Sequence, residues 1–319
     1  MRDGYADTPM GQVHYLTAGD GEPLVLLHKS PRSSRMYRKV IPLLAPYYTV
    51  YALDMLGYGY SHPSPIVDDV VLALAENIVQ ALDAFEIERA HVFGLHTGAA
   101  VSAEIAAGWP ERIASLILFS FPILDEEARE VMQEVHRSYG GYKTWGSEGD
   151  GTHLTRLWIR GMDDVTRWLM HASGFQPPDG LKYEPRQLLT QYFLPNPARA
   201  THLWIHEIGL EYLDGFMTDF LLAQDAQGRG SSVYDSLYSR DPLPALGRIE
   251  APTLLIEPDT PYEVFFTQTA ARAVKLIKNA EILSLENSDD NVNWFDPPKL
   301  ANAILDYVKR HPIAGGAVI

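Results

Sequence analysis

The sequence predicts an α/β protein: a mostly parallel central sheet flanked by helices and interrupted by a long helical insertion. Three observations carry this. A short continuous apolar run at residues 23–27 and the mostly apolar stretches 48–54 and 113–121 read as buried strands. Helical patterns with short turns separate them, and that alternation requires parallel strands with helices on both faces. From Asp125 to about Pro244 the pattern stops, with no buried-strand run, and it resumes at 252–256.

Taken in order, residues 11–18 alternate as an early strand, with Gly19-Asp20-Gly21 as a hairpin-type turn. The run 23–27 opens into His28-Lys29-Ser30-Pro31-Arg32-Ser33-Ser34, a polar loop at a strand's C-terminal end, where open α/β sheets bind ligands. Residues 36–44 carry a helical pattern, and the strand 48–54 leads into a glycine-rich loop at 55–61. Asp68 or Asp69 caps the next helix, whose Val71, Leu74, Ala75, Ile78, Leu82 and Phe85 share one face at 3.6-residue spacing.

The organising stretch follows at residues 90–100, Ala-His-Val-Phe-Gly-Leu-His-Thr-Gly-Ala-Ala. The end of a buried strand, a tight Gly-x-x-x-Gly turn and a helix of small residues form the context of a nucleophile elbow. Such a turn lifts its central residue to the top of the sheet, at a helix N-terminus where backbone N–H groups face an anion. Here that residue is His96. Beyond the strand 113–121, the insertion holds Trp145, Trp158, Trp168 and Trp204, with glycine-rich loops at 146–151 and 227–230. It reads as a helical lid over the sheet's C-terminal edge. The last elements are a strand at 252–256, a helix at 263–277, a strand at 281–285 and a helix at 298–309. The expected division is 1–124 for the first part of the core, 125–245 for the lid and 246–319 for the second part.

Composition narrows the partners. A net charge of -15 argues against nucleic acid, because phosphate binding needs clustered Lys and Arg. The absence of cysteine excludes disulfides, thiolate metal sites and a cysteine nucleophile. Residues 1–15 show no apolar signal-peptide region, and no run approaches the roughly 20 residues that span a bilayer. The expectation is a cytoplasmic protein, monomer or homodimer, that takes a small-molecule substrate without membrane or nucleic acid.

The order of parts resembles the α/β-hydrolase superfamily over nearly the whole length. Leu26-Leu27-His28-Lys29-Ser30-Pro31 is similar to its His-Gly-x-Pro oxyanion loop, and the stretch 53–61, the elbow 94–98 and the strand 252–256 match in order and spacing. Together these are specific for the fold, which is a separate matter from function. The resemblance implies nucleophile, acid and histidine in that chain order. His96 stands at the nucleophile position; the turn after Ile256 offers Asp259 as the acid; and Asn287-Ser288-Asp289-Asp290-Asn291, where the histidine should fall, contains none. His311 is the one histidine beyond the lid and is badly placed. Ordinary serine-hydrolase chemistry is therefore not expected. The resemblance also puts the backbone N–H groups of Lys29 and Thr97 where the family builds its oxyanion hole.

Histidine at the elbow suits a general acid or base, since its ordinary pKa lies near neutrality, and it can also attack through nitrogen. Asp259 or Asp290 could orient its ring. The cations of Lys29 and Arg32 suggest an anionic substrate group or an enolate intermediate; the plainer alternative is that they point to solvent or pair with lid carboxylates. His28, Ser30 and Arg32, with His206 of the lid and Asn291, complete the expected substrate-binding set, His28 orienting its loop rather than catalysing. His14 and His91 read as satisfied core histidines and Asp54 as a brace for its turn. His202 and His206 have the i, i+4 spacing of a metal pair but no glutamate between them, so neither metal nor cofactor is expected. The function expected is a cofactor-independent hydrolase of an ester, lactone or C–C bond, with His96 as general acid/base. The alternatives are a lyase or isomerase with an enolate-like intermediate, and a non-catalytic small-ligand-binding protein of the same fold.

Overall fold

The computed structural model describes residues 1–126, 128–130, 133, 209–227, 233–259 and 269–313. Its strands are β1 (Arg2–Thr8), β2 (Gly11–Ala18), β3 (Glu22–Leu27), β4 (Tyr48–Leu53), β5 (Ala90–Leu95), β6 (Ile113–Phe119), β7 (Thr253–Asp259) and β8 (Ala280–Glu286). They form one 8-stranded sheet in the order β1-β2-β4-β3-β5-β6-β7-β8. β1 and β2 are antiparallel, as are β2 and β4; every later pairing is parallel. The strand order reverses between β3 and β5, so the loops after these two strands share the crevice where such sheets place ligands.

The apolar runs explain the middle of the sheet. Every residue of β5 and β6 is buried. Alternation sends Val25, Leu27, Val92, Leu116 and Leu118 into one core, and Leu24, Leu26, Phe93, Leu95, Ile117 and Phe119 into the other. Each such side chain contributes about 1.5–3 kcal/mol when fully buried. β1 escapes the sequence pattern because it is an edge strand in which Ala6 alone is buried. The hairpin is therefore β1–β2, and Gly19-Asp20-Gly21 is no hairpin turn. It joins β2 to β3, which pair with opposite sides of β4.

The helices are α1 (Ile41–Leu44), α2 (Val70–Ala84), α3 (Thr97–Gly108), α4 (Gly209–Gln227), α5 (Val233–Ser239), α6 (Leu243–Leu246), α7 (Thr269–Ala273), α8 (Val292–Phe295) and α9 (Pro297–Val308). Asp69, rather than Asp68, caps α2 by accepting the Leu72 N–H at 3.0 Å. The single helix expected at 36–44 is instead a 3₁₀ turn (Ser34–Tyr37) followed by α1. Pro42 has no N–H to extend a helix backwards. Among the described residues no strand lies between β6 and β7, and α4, α5 and α6 occupy that interval. The four insertion tryptophans, His202, His206, the loop 146–151 and the start of the helix expected at 263–277 lie outside the described residues. No helix among the described residues is long and apolar enough to cross a membrane.

Candidate active site

The elbow is formed where β5 passes into α3. His96 adopts φ 51° and ψ −110°, a conformation that costs a non-glycine residue about 1–3 kcal/mol and must be held by its surroundings. Its N–H donates to Phe119 O at 3.0 Å, and its carbonyl accepts the Ala100 N–H at 3.0 Å. The flanking glycines allow close approach. A Cβ at Gly94 would lie 2.3 Å from Gly98 O, and one at Gly98 would lie 2.3 Å from Leu27 O. The end of β3 is thus drawn against the first turn of α3, which brings the Lys29 loop beside His96.

The carboxylate facing His96 is Asp290, with Oδ2 3.4 Å from Nε2. That is an ion-pair distance, longer than a well-formed hydrogen bond. Lys29 Nζ donates to the same Asp290 oxygen, and also to Asn291 Oδ1 at 3.0 Å. Asn291 Nδ2 donates to Asp290 Oδ1 at 3.1 Å, and Tyr212 of α4 donates its hydroxyl to Asn291 Oδ1 at 3.2 Å. Lys29, His96 and Asp290 retain 13%, 17% and 14% of their side-chain exposure, so the cluster is screened from bulk water without being sealed.

Asp259 does not take this place, contrary to the sequence expectation. It is still within β7, paired in register with Glu286, and is exposed. β7 continues past the point where a turn was expected, and the carboxylate that faces His96 comes from the loop after β8.

The other expected residues divide. His28 is fully buried, and both ring nitrogens meet backbone: Nδ1–H donates to Lys29 O at 3.0 Å, and Nε2 accepts the Met55 N–H at 3.0 Å. Burial holds its pKa below the ordinary histidine value, despite nearby Asp54. His28 therefore braces the loop. Arg32 is also engaged inside the protein. It is buried, its Nε bonded to Asp219 Oδ2 of α4 at 3.0 Å and its guanidinium 5.0 Å from the Tyr212 ring centroid. A cation already paired in the interior is not the receptor for a substrate anion. Ser33 Oγ donates to the other Asp219 oxygen at 2.5 Å. Ser30 clasps the loop to the elbow, its N–H donating to Thr97 Oγ1 at 3.3 Å and its hydroxyl to Tyr58 OH at 2.7 Å. Among the described residues no acceptor is assigned to the Lys29 N–H. His206 lies outside the described residues.

His14 and His91 are in the core as expected. His91 meets Ser115 Oγ at 2.8 Å and Glu22 Oε2 at 3.2 Å. His14 Nδ1 meets Asp54 Oδ2 at 2.8 Å, and Asp54 also accepts the Ser34 and Tyr60 N–H groups. Burial would raise the Asp54 carboxyl, but the His14 bond, His28 and the Ser34 N–H outweigh it and hold it below the usual range. Among the described residues no group of three or more His, Asp or Glu side chains is placed to hold a metal. Sequence reasoning missed Tyr212 and Asp219. Their spacing with Phe216, at i, i+4 and i+7, marks one face of α4 and was the available signal.

Comparison with known proteins agrees with this architecture. Residues 22–154 match the family model described as alpha/beta hydrolase fold. A haloalkane dehalogenase of Mycobacterium marinum is 35% identical over 116 residues, which are 35% of this chain and 39% of that protein. A 2-hydroxy-6-oxo-6-phenylhexa-2,4-dienoate hydrolase of Comamonas testosteroni is 32% identical over 110 residues, 33% of this chain and 38% of that one. The chain thus matches about two-fifths of the length of these relatives. A thermophilic esterase from Thermogutta terrifontis superposes with a TM-score of 0.67 over 98% of this chain and 100% of that one, at 17% identity, a likeness of fold. The chain has the α/β-hydrolase fold, and its residues 22–154 match that family's model.

Proposed function

We propose that the protein is a cofactor-independent hydrolase of a small organic molecule, in which His96 activates water instead of forming a covalent intermediate. The observation that carries this reading is the Asp290 carboxylate 3.4 Å from His96 Nε2 at the apex of the elbow. A proton on Nε2, facing the carboxylate, leaves the Nδ1 lone pair as the base. His96 takes a proton from water, and the hydroxide adds to a carbonyl carbon of an ester or lactone. The backbone N–H groups of Thr97 and Lys29 stabilise the tetrahedral oxyanion. The C–O bond then breaks as the imidazolium returns its proton to the leaving alkoxide, giving an acid and an alcohol. General acid–base catalysis of this kind contributes about 10²–10⁴-fold. The dienoate hydrolase and the esterase among the similar proteins support hydrolysis over lyase or isomerase chemistry. The segment 125–245 acts as the lid, and its helix α4 already reaches both loops that flank His96.

Arg32 is paired inside the protein and Lys29 is paired with Asp290. Both cations that suggested an anionic substrate group are thus engaged by carboxylates, so the substrate proposed is a neutral ester or lactone.

A second reading is a small-ligand-binding protein. It is favoured by one observation, the change of both the nucleophile and the histidine positions of the family pattern. One experiment separates the two. The purified chain is offered neutral and carboxylate-bearing esters, lactones and vinylogous diketones in ¹⁸O-water. The hydrolase reading expects turnover without a burst, one solvent oxygen in the acid product, and loss of turnover in His96→Ala. A stoichiometric burst, or tight binding of panel compounds without turnover, would overturn it.

A further inference from the structure

We propose that Tyr212 of α4 is a positioning residue that holds the Asp290 carboxylate against His96 through the Asn291 amide. The inference deepens the hydrolase reading and rests on it for its kinetic consequence only.

The chain of contacts is directional. Asn291 Oδ1 accepts from two donors, Lys29 Nζ at 3.0 Å and Tyr212 OH at 3.2 Å. The Lys29 ammonium carries donors only, so the amide cannot turn without placing its NH₂ against it, and the Tyr212 hydroxyl gives the oxygen so oriented its second donor. With the oxygen fixed, Nδ2 is directed at Asp290 Oδ1, 3.1 Å away. The two carboxylate oxygens are thereby divided: Oδ1 belongs to Asn291, and Oδ2 to Lys29 and His96. Asn291 is 4% exposed and Tyr212 1%, so these bonds sit where competing water is scarce.

Tyr212 is itself held on all sides. Its ring lies 6.0 Å from that of Phe216, 5.8 Å from Trp294 and 5.2 Å from Phe295. The Arg32 guanidinium stands 5.0 Å from its centroid, and Arg32 is anchored by Asp219, two turns along α4. A hydroxyl on a ring so confined has little freedom of direction. A side chain of the insertion therefore reaches the reacting histidine through two intermediate groups without touching it.

Tyr212→Phe keeps the ring and removes one O–H. The test reads His96 in two ways. Two-dimensional ¹⁵N NMR of the histidine rings in the full chain reports which nitrogen carries the proton, and steady-state kinetics on the best panel ester reports kcat and KM. Asp290→Asn is expected to abolish the preference for the Nε2–H form, and Tyr212→Phe to weaken it in the same direction. kcat should fall on the order of 10-fold in Tyr212→Phe, the cost of a slightly misplaced base. KM should stay within about twofold, since the ground-state contacts are kept. Glu211→Ala, which breaks only the 3.7 Å pair from the same helix to Lys39, should match the wild type in both.

A wild-type tautomer in Tyr212→Phe beside an altered one in Asp290→Asn would overturn the proposal. So would a wild-type tautomer in both variants. If Tyr212→Phe fails to fold, Asn291→Ala cuts the same chain and decides by the same readings. If no panel ester is turned over, the hydrolase reading fails and the tautomer measurement still decides the positioning role.

Discussion

Among the described residues two His–Asp pairs are built to opposite specifications. His14 and Asp54 meet at 2.8 Å, with side-chain exposures of 6% and 0%. Asp54 also accepts backbone N–H groups from Ser34 at 2.6 Å and Tyr60 at 3.0 Å, so its two oxygens tie together a strand and two loops. His96 and Asp290 stand 3.4 Å apart with side-chain exposures of 17% and 14%. Asp290 is also held by the side chains of Lys29 and Asn291. The difference lies in what can change. A carboxylate fixed by backbone donors in the interior cannot alter its contacts without moving the fold. One held by neighbouring side chains can follow a proton onto and off a neighbouring ring. The same residue pair is a brace in one place and a candidate catalyst in the other.

Substitution should separate the two pairs by what is lost. Removing Asp54 leaves several buried donors without an acceptor. Asp54→Ala should cost about 3–5 kcal/mol of stability, the range for breaking a buried pair, measured by denaturant titration. Any loss of turnover should follow the fraction unfolded. His96→Ala should do the reverse: kcat lowered about 10²–10⁴-fold with the denaturation midpoint close to that of the wild type. If His96→Ala were instead as destabilised as Asp54→Ala, His96 would be a second brace and the contrast would collapse.

Arg32 and Asp219 form a third buried pair, with side-chain exposures of 3% and 0%. Asp219→Ala strands the guanidinium and should cost about 3 kcal/mol, the low end of the range for a broken buried pair, because Tyr212 and Phe216 still face the cation. Arg32→Met combined with Asp219→Leu should recover most of that stability, since an apolar pair of similar volume avoids desolvating two charges. A double variant no more stable than Asp219→Ala would mean that the bond from Ser33 to Asp219 matters more than the ion pair.

How much of this was legible follows from the range of each interaction. β3, β4, β5 and β6 were readable because their largely buried positions leave mostly apolar stretches. The elbow was readable because Gly94 and Gly98 must be glycine where the chain crowds to 2.3 Å. β1 was not, because an edge strand needs no apolar pattern. The choice between Asp259 and Asp290 was not legible either. It depends on how far β7 runs before leaving the sheet, and on a loop after β8 that curls back toward residues 194 positions away in the chain at His96. The roles of Lys29 and Arg32 were equally hidden, since the partners that settle them, Asp290 and Asp219, lie 261 and 187 residues away. Chemistry-bearing residue types were visible locally; which of them meet was decided by long-range closure.

The smallest expected effect is the pH dependence of stability that His28 imposes. His28 has its folded pKa held below the ordinary value, first by burial. A group with a depressed folded pKa contributes stability that is fully present above its unfolded value, about 6.5 for histidine, and that is lost as pH falls through the folded value. His91 is shifted in the same direction, again first by burial, and adds to the same trend. Stability should therefore be flat above about pH 7.5 and decline from about pH 6.5 downward, with a slope of at most about 1.4 kcal/mol per pH unit for each histidine. His28→Asn, measured by chemical denaturation across this range, should be less stable at neutral pH, because the Met55 N–H loses its imidazole acceptor. It should also have a shallower acid slope, because one proton-uptake site is gone. A His28→Asn variant that keeps the full wild-type slope would assign the acid sensitivity to His91 and its Glu22 partner. The loop beside the elbow would then be braced by geometry alone.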